Sequence, residues 1–316
     1  MSTTTAPKTA PTSRKKVAAS DRSVAENRLG QRLVAPAVIM MLLVTAYPMI
    51  QAIYLSLFRY RLTTPDDKSF AGLSNYVTIL TDSLFWKDTL NTVIIMVVTV
   101  AVELVIGFAF AMVMHRIIFA RGLMRTSILI PYGIIPVVSA FAWQFTFSIN
   151  NGYVNSWFGW LPGISASTNW YGDHWHAMFA IMVSEIWKTT PFMALLLLAG
   201  LSQISEDMIE AAKVDGATAS QRLFKVILPN MRAVIMVAVL FRALDAFRIF
   251  DNIFIMTGGA QDTQSVSILG YNQLIQRLNL GLGSAVSVLI FISVFLIAFL
   301  FIKGFGVRMN EGRPGG

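Results

Sequence analysis

The chain has 316 residues, of which 55% are hydrophobic and only 13% charged, against roughly 45–50% and about 25% in soluble domains, which excludes a set of ordinary water-soluble domains. A formal charge of +8 raises nucleic acid or an acidic membrane surface as partners, and the placement of the basic residues must decide between them. The absence of cysteine excludes disulfides, thiolate metal sites and cysteine nucleophiles.

Residues 1–32 are rich in Thr, Ser, Ala and Pro and carry Lys8, Arg14, Lys15, Lys16, Arg22, Arg28 and Arg32. They are too polar to bury an apolar face and are expected to form a largely disordered tail. The first apolar block, about Leu33 to Phe58, exceeds the ~7–15 residues of a signal-peptide core and is not followed by a convincing cleavage site. It is expected to stay as a first membrane helix. Further apolar blocks fall at about Thr89–Met114, Gly122–Phe147, His176–Leu201, Arg232–Thr257 and Gly281–Lys303. Each is long enough to cross a bilayer, with some tilt or local breaks. The expected fold is therefore an all-α integral membrane protein, with a six-helix transmembrane domain over residues 33–303 and a C-terminal tail over 304–316. Pro48, Pro131, Pro136 and Pro191 lie inside predicted spans and mark kinks or breaks, and the first two after residue 130 make the third span the most irregular.

Basic residues concentrate in the tail, at Arg116, Arg121 and Arg125, in the 202–232 loop and at the C-terminal end, while the 148–175 loop contains no Lys or Arg. By the positive-inside rule both termini face the cytoplasm. The charges do not gather on one accessible face, so nucleic acid is not an expected partner.

The cytoplasmic stretch 202–231 carries helix signals that a simple connector does not need. Ser205 is placed to cap a helix with Glu206 and Asp207 in its first turn, which suits the positive end of the helix dipole. That helix runs to Val214 before Gly216 supplies a turn, and a second starts at Thr218 or Ser220 and continues to Val226, ahead of Pro229. The expected result is a helix-turn-helix on the membrane surface.

Within it, Glu210-Ala211-Ala212, Gly216 four residues later, and Val226-Ile227-Leu228-Pro229 after nine more residues resemble the E-A-A-x3-G-x9-I-x-L-P motif of permeases in binding-protein-dependent ABC importers. Val226 stands where Ile is usual. The resemblance covers nearly all of residues 30–305 and implies a type I importer permease fold, in which the loop enters a cleft on a separate ATPase. Glu210, Ala211, Ala212, Asp215 and Gly216 are then the ATPase-coupling residues. Phe241 to Asn252, ending in Thr257-Gly258-Gly259, is similar to the carbohydrate-importing branch, although Ala260 stands where many members have Pro. Glu185 to Met193 together with Val266 to Tyr271 is similar to mycobacterial permeases of trehalose import. The resemblance implies a second homologous permease subunit, two ATPase subunits carrying ATP and Mg, an extracellular substrate-binding lipoprotein, and a bacterial plasma membrane location. An amphipathic surface helix pair without an ATPase partner remains the other reading of this loop.

Ionisable groups inside membrane spans are costly and mark functional candidates. Glu185, Lys188, Thr189 and Phe192 share one face of the fourth predicted span, and Arg242, Asp245, Ala246 and Ile249 share one face of the fifth. Paired donors and acceptors with aromatic neighbours such as Trp187 suit a sugar, so these eight residues are the candidate substrate path. The same charges also read as intrahelical ion pairs or links to a partner subunit. Arg248 and Asp251 drift off the Arg242 face and fit that structural role, while Glu103 sits alone in its span and reads as a residue that pairs with another helix. His174 and His176 lack the supporting ligands of a metal site. The sequence contains no G-x-x-x-x-G-K-[ST] phosphate loop, so the chain itself holds no nucleotide cofactor and is not expected to be an enzyme. A secondary transporter or channel working without an ATPase is the alternative.

Overall fold

A computed structural model describes residues 21–117, 121–161 and 163–305. By its internal contacts the chain divides into a unit ending at Gln51 and a unit beginning at Ala52. Helix α1, Asp21–Ser56, begins in the first and carries a long apolar segment over Leu29–Ser56. Residues 21–32 are therefore helical, which corrects the expectation of a disordered tail through residue 32. The run Val24-Ala25-Glu26-Asn27-Arg28-Leu29 contains no Gly or Pro, and the long apolar helix that follows carries helix back through Gly30 into it despite the cost of that one glycine. Residues 1–20 and 306–316, the remainder of the two expected tails, lie outside the described residues.

The second unit opens with a short antiparallel pair, β1 (Phe58–Arg59) and β2 (Ser69–Phe70), then α2 (Ser74–Thr81) and the long α3 (Ser83–Arg116). Next come α4 (Arg121–Gly133), α5 (Pro136–Thr146), the short α6 (Val154–Phe158) and α7 (His174–Leu201). The coupling region comprises α8 (Glu206–Val214), α9 (Ala219–Arg222), a π-helical turn over Leu223–Ile227 and the one-turn α10 (Leu228–Asn230). It feeds α11 (Arg232–Ala246), followed by α12 (Asp251–Met256), α13 (Val266–Tyr271) and α14 (Leu280–Phe305).

Among the described residues four helices are long and apolar enough to span a membrane, Leu29–Ser56, Ser83–Arg116, His174–Leu201 and Leu280–Gly304, and a fifth span is possible from the bent pair α4–α5. Two of the six predicted spans are thus interrupted. In the third, α4 and α5 meet at 86°, because Pro136 opens α5 and Ile135 before it is extended at φ −55° and ψ 132°, as the ring of a following proline favours. Within the predicted fifth span, α11 has 15 residues and reaches about 22 Å, short of the ~30 Å hydrocarbon core. Its chain then breaks at Phe247–Phe250 before α12 resumes. Pro48 and Pro191, by contrast, are absorbed within continuous helices. Beside Pro191, the hydroxyls of Thr189 and Thr190 donate to the carbonyls of Glu185 and Ile186 at 2.7 and 2.6 Å, reinforcing the turn where proline removes a backbone donor.

The central packing is α3 against α7. At Gly107 an added Cβ would lie 2.9 Å from Met193 Cγ and 3.2 Å from the backbone of Ala194, so only glycine allows this approach, as small residues do between membrane helices. Val100, Phe108, Ala111, Met193, Ala194 and Leu197 fill that interface, with Ala238 and Ala246 of α11 closing it. A second apolar cluster, including Ile95, Ala140, Ile181, Ile249, Ile253 and Ile268, holds α5 and α12. The outward residues of α14, Phe291, Phe295 and Phe299 among them, are exposed, as a lipid-facing surface requires.

Candidate functional site

The two interrupted spans open onto one cavity of about 490 Å³. Its wall combines the α4–α5 bend (Tyr132 to Pro136), the α11–α12 break (Arg248 to Asn252), Glu185, Lys188 and Thr189 from α7, and Asp245 from the end of α11. Irregular backbone is tolerated at membrane depth where it lines a cavity, and both breaks do so here.

Behind the cavity lies an ionic cluster. Arg242 is 1% exposed and Glu103 fully buried, and the guanidinium meets that carboxylate in a two-point pair, Nε to Oε2 at 2.7 Å and Nη2 to Oε1 at 3.0 Å. Nη2 also reaches Glu185 Oε1 at 3.3 Å and Thr189 Oγ1 at 3.1 Å, while Nη1 donates to Asp245. Asn252 Nδ2 donates to the other oxygen of Glu185 at 2.8 Å. One guanidinium therefore serves three carboxylates. The five donors of arginine's planar fork permit this together with the two-point pairing to Glu103, which a lysine ammonium does not match.

The eight predicted path residues separate on this geometry. Glu185, Lys188, Thr189, Asp245 and Ile249 line the cavity. Arg242 sits behind it, buried by its partners, and Ala246 is buried in the α3–α7–α11 core. Phe192 stacks on Tyr132 with ring centroids 5.4 Å apart, so it supports the wall from outside. Glu185 and Lys188 form no ion pair with each other, whereas Arg242 and Asp245 do. Arg248 and Asp251 line the cavity and make no ion pair among the described residues. Of the structural role expected for them, intrahelical ion pairing is therefore not what is seen; the break at Phe247–Phe250 resets the helical phase, so positions off the α11 stripe turn toward the cavity. Glu103 pairs with another helix, as expected: its partner is Arg242 of α11, 139 positions away in sequence. Sequence reading missed Tyr132 and Asn252. The available signal for Tyr132 was its place four residues before Pro136, while Asn252 had none beyond its polarity.

The coupling residues lie elsewhere. Ser205 occupies the cap position of α8 in extended conformation but makes no side-chain capping bond, with Glu206 and Asp207 in the first turn. Gly216 makes the turn at φ +77°, a left-handed conformation that favours glycine. Thr218 then caps α9 through a reciprocal pair with Gln221, at 3.3 and 2.8 Å. The second helix ends at Arg222 rather than Val226, and continues as the π-helical turn. Glu210, Ala211, Asp215 and Gly216 are exposed and Ala212 half-buried. A larger cavity of about 750 Å³ separates α8 and α9 from the ends of α3 and α7, and Glu210 lines it with Arg116, Lys213 and Arg222.

Outside the spans, Asp173 caps α7 and its carboxyl is held below the usual range by the backbone N–H and ring of His176. Lys87 does the same for Asp262 through a 2.6 Å ion pair. His174 faces the carbonyl of Gln261 and His176 faces Asp173, and among the described residues no group of three metal-ligating side chains forms. Of the tryptophans near this end, Trp170 is buried and donates to Asn155 at 2.7 Å, while Trp157, Trp160 and Trp175 are exposed.

The trehalose transport system permease protein SugA of Mycobacterium tuberculosis is 50% identical over 293 residues, covering 93% of this chain and 94% of that protein. The trehalose/maltose transport system permease protein MalF of Thermococcus litoralis is 36% identical over 280 residues, 88% of this chain and 94% of that one. Among solved structures, a bacterial alginate ABC transporter in complex with an alginate pentasaccharide-bound periplasmic protein superposes with a TM-score of 0.77, covering 92% of this chain and 98% of the matched chain. At 19% identity that likeness establishes the importer permease fold alone. Residues 104–310 match the family described as binding-protein-dependent transport system inner membrane component, and the chain belongs to that family: it is a multi-pass permease subunit of an ABC importer and not an enzyme.

Proposed function

We infer that this subunit lines the path of an ATP-driven importer of a sugar, with the disaccharide trehalose the first candidate, and moves it by alternating access. The observation that carries the reading is the cavity at the two helix breaks, where Glu185, Lys188, Asp245, Arg248, Asp251 and Asn252 converge beside Tyr132 and Phe250. Hydroxyl groups need both donors and acceptors, sugar C–H faces need aromatic walls, and the volume falls within the ~300–1,000 Å³ of small-molecule sites. The names of the relatives from Mycobacterium tuberculosis and Thermococcus litoralis support trehalose among sugars.

The exposed turn around Glu210–Gly216 docks on an ATPase, which holds the ATP and Mg that drive transport. This places α8, α9 and both termini in the cytoplasm of a bacterial cell, in agreement with the distribution of Lys and Arg. A second homologous permease encloses the other side of the path, two ATPase subunits complete the motor, and an external binding lipoprotein delivers the sugar. ATP closure of the motor moves the coupling helices, and the cavity switches from outside to inside.

The test is uptake of labelled trehalose into membrane vesicles containing the chain with its co-purifying partners, with unlabelled maltose as competitor. Uptake that requires ATP and resists maltose is expected. ATP-driven uptake of a different solute would remove trehalose, and transport by this chain alone without ATP would replace the importer reading with a secondary transporter or channel.

A further inference from the structure

The α11–α12 break is held through a residue of a third helix. From the α11 side, Arg242 Nη2 reaches Glu185 Oε1 at 3.3 Å, and from the α12 side Asn252 Nδ2 reaches Glu185 Oε2 at 2.8 Å. Between them Phe250 adopts φ −137° and ψ −58°, and the hydroxyl of Ser265 bonds the carbonyl of Ile249 at 2.9 Å. One carboxylate on α7 thus bridges both halves of an interrupted helix, and it faces the cavity.

We propose that Glu185 is a latch across this break, that Asn252 is the residue that positions it, and that a sugar hydroxyl entering the cavity competes with Asn252 for the Glu185 carboxylate. The inference rests on the reading of the cavity as the sugar path and adds how occupancy is sensed there. The two sides of the latch are unequal. Arg242 has its best geometry on Glu103, and parting those two would strand a charge among apolar side chains. Asn252 is neutral, and its donated bond to Glu185 resembles what a sugar hydroxyl offers, so the carboxylate keeps a donor on exchange, while the buried Asn252 amide must find a new acceptor, on the sugar or by movement of α12. Occupancy therefore releases the α12 side while leaving the α11 side anchored.

The α11 side leads to the motor. From Ala219 to Ala246 the chain is helical through α9, the π-helical turn, α10 and α11, interrupted only at Met231, which is buried at 1% exposure. The coupling turn at Gly216 precedes this nearly continuous helical stretch, and Arg242, which anchors the latch at Glu185, lies near its far end. A change at either end biases the other, and the linkage is reciprocal.

The chain contains no cysteine, so Val237→Cys on α11 and Phe254→Cys on α12, both exposed positions, give a spin-label pair that reports the break. The pair is measured in the complete transporter with its binding protein and MgATP, with and without saturating trehalose. Wild type should show a trehalose-dependent change in the distance distribution. Asn252→Leu, of similar size but without the donor, should show the sugar-bound distribution before sugar is added. It should also raise the sugar-free ATPase rate to the rate that wild type reaches only with trehalose, and a purely structural asparagine would not do this. A distance distribution that ignores trehalose in wild type would overturn the proposal, and this arm decides even if Asn252→Leu does not assemble. So would Asn252→Leu with wild-type distances and a wild-type sugar-free ATPase rate. Absence of ATP-driven uptake in wild type sinks the importer reading itself, whereas ATP-driven uptake with an unmoved spin pair sinks the latch alone.

Discussion

The helix-turn-helix from Glu206 to Arg222 and the cluster around Arg242 are joined by one nearly continuous helical stretch of chain, yet they are held by different kinds of interaction. In the first, the helices bury none of their residues. Capping between Thr218 and Gln221, the left-handed Gly216 and the acidic first turn of α8 all act over five residues or fewer. In the second, Arg242 is tied to Glu103 across 139 positions and to Glu185 across 57, and Glu185 to Asn252 across 67. A surface built from local bonds keeps its shape while a partner pulls on it. A site built from long-range bonds changes when any one of its helices moves. That division suits a device that receives force at one end and alters a cavity at the other.

The contrast is broken most severely at Arg242. Arg242→Met leaves Glu103 and Glu185 without their cation and should destabilise the fold by about 3–5 kcal/mol, measured as loss of folded protein in detergent or a lowered melting temperature. Adding Glu103→Gln should recover part of that loss, since the stranded carboxylate is then gone. Gly107→Leu should cost about 1–3 kcal/mol by forcing α3 away from Met193 and Ala194, with the same melting assay as readout. On the exposed side the penalties shrink: Thr218→Ala removes one half of the α9 cap and should cost about 0.5–2 kcal/mol locally, seen as faster amide exchange over Ala219–Arg222 with no change in the melting of the spans.

Asp262 should give the smallest effect. Lys87 holds its carboxyl below the ordinary range, so the folded chain binds that proton less readily than the unfolded one. The contribution is in place above the usual carboxylate pKa and is lost as the pH falls through the lowered value. Asp262→Asn should therefore lower the melting temperature slightly at neutral pH, where the contribution is in place, and converge with wild type at the acid end of a melting profile taken from about pH 3 to 7.

What was legible in the sequence follows the same division. The coupling turn could be read from residue types and spacing because its determinants are local, down to the glycine that supplies the positive φ. The long spans were also legible, since apolar length alone specifies α3, α7 and α14. The breaks were only half legible. Pro136 announces the bend between α4 and α5, but no proline or glycine marks Phe247–Phe250, and a stripe drawn on an unbroken helix put Ala246 on the path and Arg248 and Asp251 off it. The pairing of Glu103 with Arg242 left no local trace, because the close approach of α3 and α7 at Gly107 and the packing of α11 against both bring the two side chains together. Helix over residues 21–32 was missed because their polarity was weighed without the apolar block that extends helix back into them.

The most direct test of the account joins its two ends in one assay. Gly216 stands at φ +77° with open space around its missing side chain, so Gly216→Val costs roughly 1–2 kcal/mol of local backbone strain without a clash and should leave insertion intact. ATP-dependent trehalose uptake is measured in vesicles holding equal amounts of wild-type or Gly216→Val chain with the partner subunits. The account predicts accumulation by wild type only when ATP is supplied, and none by Gly216→Val. Normal uptake by Gly216→Val, or accumulation by wild type without ATP, would contradict it.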